Sequence, residues 1–165
     1  MTMPNAVPVT VTRLPELVSV EAFTVAGPSG RFDGATITNI PQLWSQLIGA
    51  LPIAGQDPSW TTYGVESGVD RNDGSFDYMA GVGVEPGASL PKGFVAKRIE
   101  AATYAVFRIT LNGSALQPQV KSAMAKIWGE LVPASGLKVA ERPDFELYDG
   151  NLRSDTMQSN SEEFD

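Results

Sequence analysis

The chain has 165 residues, a formal net charge of −7, and neither cysteine nor histidine. The acidic balance argues against a nucleic-acid partner gripped through its phosphates. The missing residue types remove disulfides, thiol chemistry, the usual zinc, copper and haem ligands, and the commonest general base near neutral pH.

With 42% hydrophobic and 19% charged residues, the composition is that of one globular domain with room for a core. Met1 to Thr12 has neither a basic start nor a continuous apolar stretch, so it does not read as a signal peptide. No apolar run approaches the length of a membrane span. The expectation is a cytoplasmic protein with no metal and no cofactor.

In chain order, Val9–Thr12 and Leu17–Val25 alternate and read as an opening strand pair, or one long strand broken near Pro15. Gly27-Pro28-Ser29-Gly30 has the composition of a loop. Ile40, Leu43, Trp44, Leu47, Ile48 and Leu51 recur at helical spacing, with Asn39 as candidate cap, Pro41 in the first turn and Pro52 as the stop. Trp60–Glu66 and Phe76–Glu85 read as a hairpin around a turn rich in Asp, Asn and Gly. In its second strand Phe76, Tyr78, Ala80, Val82 and Val84 share a face. Gly81 and Gly83 fall on the other face, where they leave room for a bulky neighbour or a ligand. Asp70, Asn72 and Asp73 superficially suggest calcium, but the spacing lacks the closing glutamate of a calcium loop and suits a hairpin turn.

After a loop from Pro86 to Gly93, Phe94–Arg98 and Tyr104–Thr110 read as strands. Val120, Met124, Ile127, Trp128 and Leu131 then mark a second amphipathic helix, capped by Ser114 and ended by Pro133 and Gly136. In the strand Pro143–Tyr148, Phe145 and Leu147 point one way, Glu146 and Tyr148 the other. The stretch from Asn151 to Asp165 reads as a polar, acidic tail. The order is strand–helix–strand–strand followed by strand–helix–strand, so the second half repeats the organisation of the first.

Phe76-Asp77-Tyr78-Met79-Ala80-Gly81-Val82-Gly83-Val84, Tyr104-Ala105-Val106-Phe107, Ile127-Trp128-Gly129-Glu130-Leu131-Val132-Pro133-Ala134-Ser135-Gly136 and Pro143-Asp144-Phe145-Glu146-Leu147-Tyr148 occur in that order. Asn39–Trp44 and Tyr63-Gly64-Val65 precede them. This set resembles the GyrI-like, or AraC-type effector-binding, domain family over nearly the whole chain. The resemblance implies a single α+β domain over residues 1–165, with one module at about 7–86 and a second at about 93–165. The modules would be related by a pseudo-two-fold, their antiparallel sheets enclosing a central ligand cleft. Family members bind small molecules there, some fused to helix-turn-helix domains in multidrug-sensing regulators and some alone. A few are hydrolases of reactive cyclopropane compounds, and one branch restrains DNA gyrase. Two departures stand out. The family's His-x-Gly is replaced by Arg108 to Gly113, and the family's final apolar strand has no counterpart before Asp165. The second departure predicts a missing strand and an open sheet edge suited to self-association.

Glu146 aligns with the acid low in the family's pocket, and the physical logic is independent of the alignment. A lone carboxylate among aromatics pairs with an organic cation, and aromatic faces add cation–π attraction. Tyr63, Tyr78, Tyr104, Tyr148, Trp44 and Trp128 are the candidate walls, unless they simply fill the core. The expected function is a stand-alone sensor or sequestering domain for small amphipathic organic cations. One alternative is a hydrolase using Glu146 as general acid or base on water, since the chain has no Gly-x-Ser-x-Gly elbow. The other is a gyrase-inhibitor-like interaction module.

Overall fold

A computed structural model describes residues 10–11, 16–59, 61–110, 122, 125–136, 143–148 and 156–164. Its strands are β1 (Thr10–Val11), β2 (Glu16–Val20), β3 (Phe23–Gly27), β4 (Ser29–Phe32), β5 (Thr62–Ser67), β6 (Phe76–Val84), β7 (Val95–Ile99), β8 (Ala102–Thr110), β9 (Asp144–Tyr148) and β10 (Thr156–Phe164). All pairings among them are antiparallel. Helix α1 spans Ile40–Ala50, and residues 125–135 form α2.

The expected pseudo-symmetry is visible in the pairing. In the first half β6 lies between β5 and β3; in the second, β10 lies between β9 and β8. The halves join where β5 pairs with β9, Gly64 facing Glu146. A long ribbon ties their outer sides together. Glu16–Val20 pairs with Ala102–Val106, and Phe23–Gly27 pairs with Val95–Ile99. The partner numbers fall by one as the strand numbers rise by one straight through the corner at Glu21 and Ala22. Both β1 and β2 lie on β8, and the expected break at Pro15 falls outside the described residues.

Two sequence expectations are corrected by this topology. Residues 156–164, read as a solvated tail, form the strand between β8 and β9. The position expected to be vacant is therefore filled, and self-association through an open edge there loses its ground. Residues 27–30, read as a loop, carry one strand across β6. Ala26 faces Val82 and Ser29 faces Met79 with no slip of register, and the Pro28 carbonyl accepts the Ala80 N–H at 3.2 Å. The glycine is needed there because a Cβ on Gly27 would overlap the Ala80 backbone.

Two cores lie on opposite faces of the sheet. One gathers Leu47, Tyr78, Ala80, Val82, Phe32 and Phe94, with Ile40, Leu43 and Trp44 of α1 packed against it. Fully buried Leu47 anchors α1, and its truncation to alanine costs roughly 2–5 kcal/mol. Ile48 faces outward instead, half exposed. The other core gathers Val25, Val65, Met79, Ile99, Tyr104, Val106 and Phe145.

The helix ends also depart in detail from expectation. Asn39 makes no capping bond; it closes a 3-10 turn at Ile37–Asn39 that leads into α1. The carboxylate of Asp33 braces the bend just before it, accepting the N–H groups of Ala35 and Thr36 at 2.9 and 3.0 Å. In α2 a π-turn runs through Ile127–Leu131, and Gly136, at φ 72°, ends the helix in the left-handed region. The expected cap Ser114, the stripe positions Val120 and Met124, and Trp60 lie outside the described residues.

Deleting residues 156–164 should cost far more than loss of a free tail. Both β8 and β9 would lose a ladder partner, and the thermal midpoint should fall by about 10 °C or more. An unchanged melting curve would refute the placement of β10.

Candidate functional site

At the seam between the halves, alternation decides which side chains meet. Thr62, Gly64 and Glu66 leave β5 on one face, and Asp144, Glu146 and Tyr148 leave β9 on the same face. Tyr78 of β6 shares that face with the packing surface of α1. Gly64 has no side chain, so the Glu146 carboxylate leans over β5 and meets the Tyr78 hydroxyl, which donates to Oε2 at 2.8 Å. A Cβ on Gly64 would collide with both groups.

The network extends to the helix. Trp44 of α1 donates its Nε1–H to the Tyr78 hydroxyl at 3.1 Å, so Tyr78 accepts from the helix and donates to the acid. The Trp44 ring stands edge-on to Tyr148, centroids 5.2 Å apart at 78°. The Tyr148 phenol approaches Glu146 from the same strand. Tyr78 is nearly sealed, while Glu146, Tyr148 and Trp44 each keep part of their surface. Among the described residues no cationic side chain lies within ion-pairing distance of Glu146.

Burial pushes the Glu146 carboxyl up to about 7; the Tyr78 bond pulls it down and the nearby charge of Glu66 pushes it up. Burial, then the charge of Glu146, holds the phenols of Tyr78 and Tyr148 well above the ordinary tyrosine range. Both are therefore hydrogen-bond donors near neutral pH.

The structure thus brings Glu146, Tyr78, Tyr148 and Trp44 together, but not the other candidates. Tyr63 and Tyr104 lie on the opposite sheet face. Each packs edge-on to Phe145, at 5.8 and 4.8 Å, and Tyr63 also meets Phe23 at 5.2 Å. Their positions alternate with the Glu146 face, which makes them core aromatics rather than walls of this site. Trp128 is 38% exposed, while Ile127 and Leu131 of its helix are buried. It stands outside the hydrogen-bonded cluster.

The room beside Gly81 and Gly83 is taken by the chain itself, with Val25 and Ala26 of β3 against Gly81 and Asp57 and Tyr63 near Gly83. Among the described residues no group of acids has the arrangement to hold a metal ion. Asp70 and Asp73 instead accept the N–H groups of Asn72 and Ser75, both at 2.8 Å, inside the β5–β6 turn. Sequence reading missed Gly64 and Glu66. The signal for both was the alternation of Thr62, Gly64 and Glu66 opposite the acid-bearing strand.

Two predictions follow from this geometry. Gly64→Ala should displace the Tyr78–Glu146 pair and destabilise the fold by roughly 1–3 kcal/mol, read by chemical denaturation. The second concerns pH. The Glu146 carboxyl is raised from 4.5 to about 7 in the folded state, so the folded state binds this proton more tightly than the unfolded chain. Its contribution is fully present below the unfolded value and is lost as pH rises through the folded one. Relative to Glu146→Gln, the wild type should therefore lose on the order of 2–3 kcal/mol between about pH 5 and pH 8.

Residues 14–162 match the family model described as "GyrI-like small molecule binding domain". The transcriptional regulator BrlR of Pseudomonas aeruginosa is 34% identical over 138 residues, which are 83% of this chain and 48% of the regulator. The chain thus spans about half the length of that curated relative. Among solved structures, SAV2435 bound to tetraphenylphosphonium superposes with a TM-score of 0.69 at 18% identity, covering 90% of this chain and 93% of the other. An integron cassette protein from the mobile metagenome of Vibrio cholerae superposes with a TM-score of 0.64 at 22% identity, covering 91% and 95%. At these identities the structural likenesses establish the fold, and the family match establishes membership: the chain belongs to the GyrI-like small molecule binding domain family.

Proposed function

We propose that this domain binds small amphipathic organic cations through Glu146 and works in the cytoplasm as the sensing or sequestering part of its protein. The observation that carries this is a desolvated carboxylate with no cationic neighbour among the described residues, faced by Tyr78, Tyr148 and Trp44. Removing a carboxylate from water is unfavourable without a counter-charge. A lipophilic cation supplies that charge while its apolar body covers the aromatic rings. The Tyr78 side chain is buried, while the Glu146 residue keeps part of its surface. The tetraphenylphosphonium bound to the structurally similar SAV2435 is a ligand of this class, and similarity to a transcriptional regulator supports the sensing role.

One observation favours a second reading, hydrolysis of a reactive small molecule. A carboxyl at about 7 beside a proton-donating phenol suits general acid–base work on water. Glu146→Gln separates the two, because a hydrolase would lose turnover yet keep binding its substrate.

Calorimetric titration with tetraphenylphosphonium tests the primary reading. Only ionised Glu146 attracts the cation, so the affinity of the wild type should rise by about tenfold from about pH 6 to pH 8. Glu146→Gln should bind the cation more weakly and without that pH dependence, while a neutral aryl compound of similar shape should bind both proteins alike. Absence of cation binding, or binding that ignores both pH and the substitution, would sink the proposal.

A further inference from the structure

A second carboxylate shares the face of Glu146. Glu66 leaves β5 two residues beyond Gly64 and stands directly opposite Asp144 on the β5–β9 ladder, while Gly64 stands opposite Glu146. Glu66 and Glu146 are therefore diagonal neighbours, a relation that separates Cβ atoms by about 7 Å. Gly64 shortens the gap, since the Glu146 carboxylate leans over the empty glycine position toward β5. The two groups feel each other, for the charge of Glu66 opposes ionisation of Glu146. Burial raises the Glu66 carboxyl as well. Among the described residues neither acid has an ion-pair partner, while Arg31 and Arg98 pair with Asp77 and Glu100.

Two like charges drawn out of water on one sheet face carry a cost for which the described residues supply no counter-charge. Tyr78 serves Glu146 alone, and the position facing Glu66 across the ladder is another acid. A single monovalent cation at Glu146 would neutralise one of the two charges.

We propose that Glu66 is a second charge-recognising residue of this sheet face, which selects ligands carrying two positive centres no more than about 7 Å apart over monocations of the same body. This rests on the cation-binding reading of Glu146 and adds the substrate class to it. One positive centre pairs with Glu146 among the aromatic rings and the other lies against Glu66 on the same face. Occupation by a dication supplies a counter-charge to each acid.

The test compares a bis-quaternary ammonium compound of that charge spacing with its mono-quaternary counterpart. Affinities for wild type, Glu66→Gln and Glu66→Asp are measured by titration calorimetry, with melting curves to verify folding. Wild type should prefer the dication by about tenfold, the size expected for one further charge contact at a partly screened site. Glu66→Gln should bring the ratio close to one with monocation affinity altered less than about threefold, whereas Glu66→Asp should keep most of the preference. A wild type that binds the monocation but shows no preference overturns the assignment of Glu66 whatever the variants do, and leaves the reading of Glu146 standing. A preference that survives Glu66→Gln also overturns it. Failure of both cations to bind wild type overturns both readings together.

Discussion

The close approach of β5 and β9 at Gly64 governs much of what this fold does. Without a Cβ at that position, the carboxylate of Glu146 crosses onto the neighbouring strand, reaches the Tyr78 hydroxyl of a third strand and loses much of its contact with water. The desolvation that pushes the acid up to about 7 follows from this enclosure. So does the link to α1, because the Tyr78 hydroxyl gives its one proton to Glu146 and accepts the Trp44 Nε1–H on a lone pair. Charge state, strand packing and helix position are joined through one phenol.

The surrounding architecture keeps the seam in place. The ladders β3–β6–β5 and β8–β10–β9 meet at it, and the bent ribbon of β2–β3 with β7–β8 holds their outer strands in one register. Phe145 and Glu146, adjacent in sequence, serve the two sides of this arrangement. Phe145 fills the core with Tyr63, Tyr104 and Phe23, and Glu146 faces α1. A register slip of one residue would exchange them, burying the acid among aromatics without its phenol partner. The core on one face thereby enforces the chemistry on the other.

The same alternation separates the candidate walls onto two faces. Tyr63 and Tyr104 are as suitable in composition as Tyr78 and Tyr148. Tyr63 lies on a strand whose Glu146-facing positions are Thr62, Gly64 and Glu66, while Tyr104 sits in the opposite core against Phe145. A tyrosine count cannot make this distinction; strand parity together with the pairing partner can. In α2, helical spacing alone would turn Ile127, Trp128 and Leu131 to one side, but the π-turn changes the local register and leaves Trp128 outward.

What the sequence determined by itself was set by local periodicity. The apolar stripe of α1, the β5–β6 hairpin with its Asp-rich turn, the two faces of β6 and the opposed faces of Phe145 and Glu146 follow from spacing over a few residues. The repeated order of elements, with the family resemblance, carried the α+β modules and pointed to Glu146. The tertiary structure alone decided where contacts distant in sequence fall. Residues 156–164 have too little apolar periodicity to announce a strand, yet two ladders with unpaired edges give their backbone a place. Gly27 and Pro28 have the composition of a turn, yet crossing β6 closely requires the glycine and uses only the carbonyl of the proline. Gly64 and Glu66 carry no signal in isolation. They acquire a role only because long-range pairing sets them beside Glu146, at a separation along the chain that no local pattern encodes.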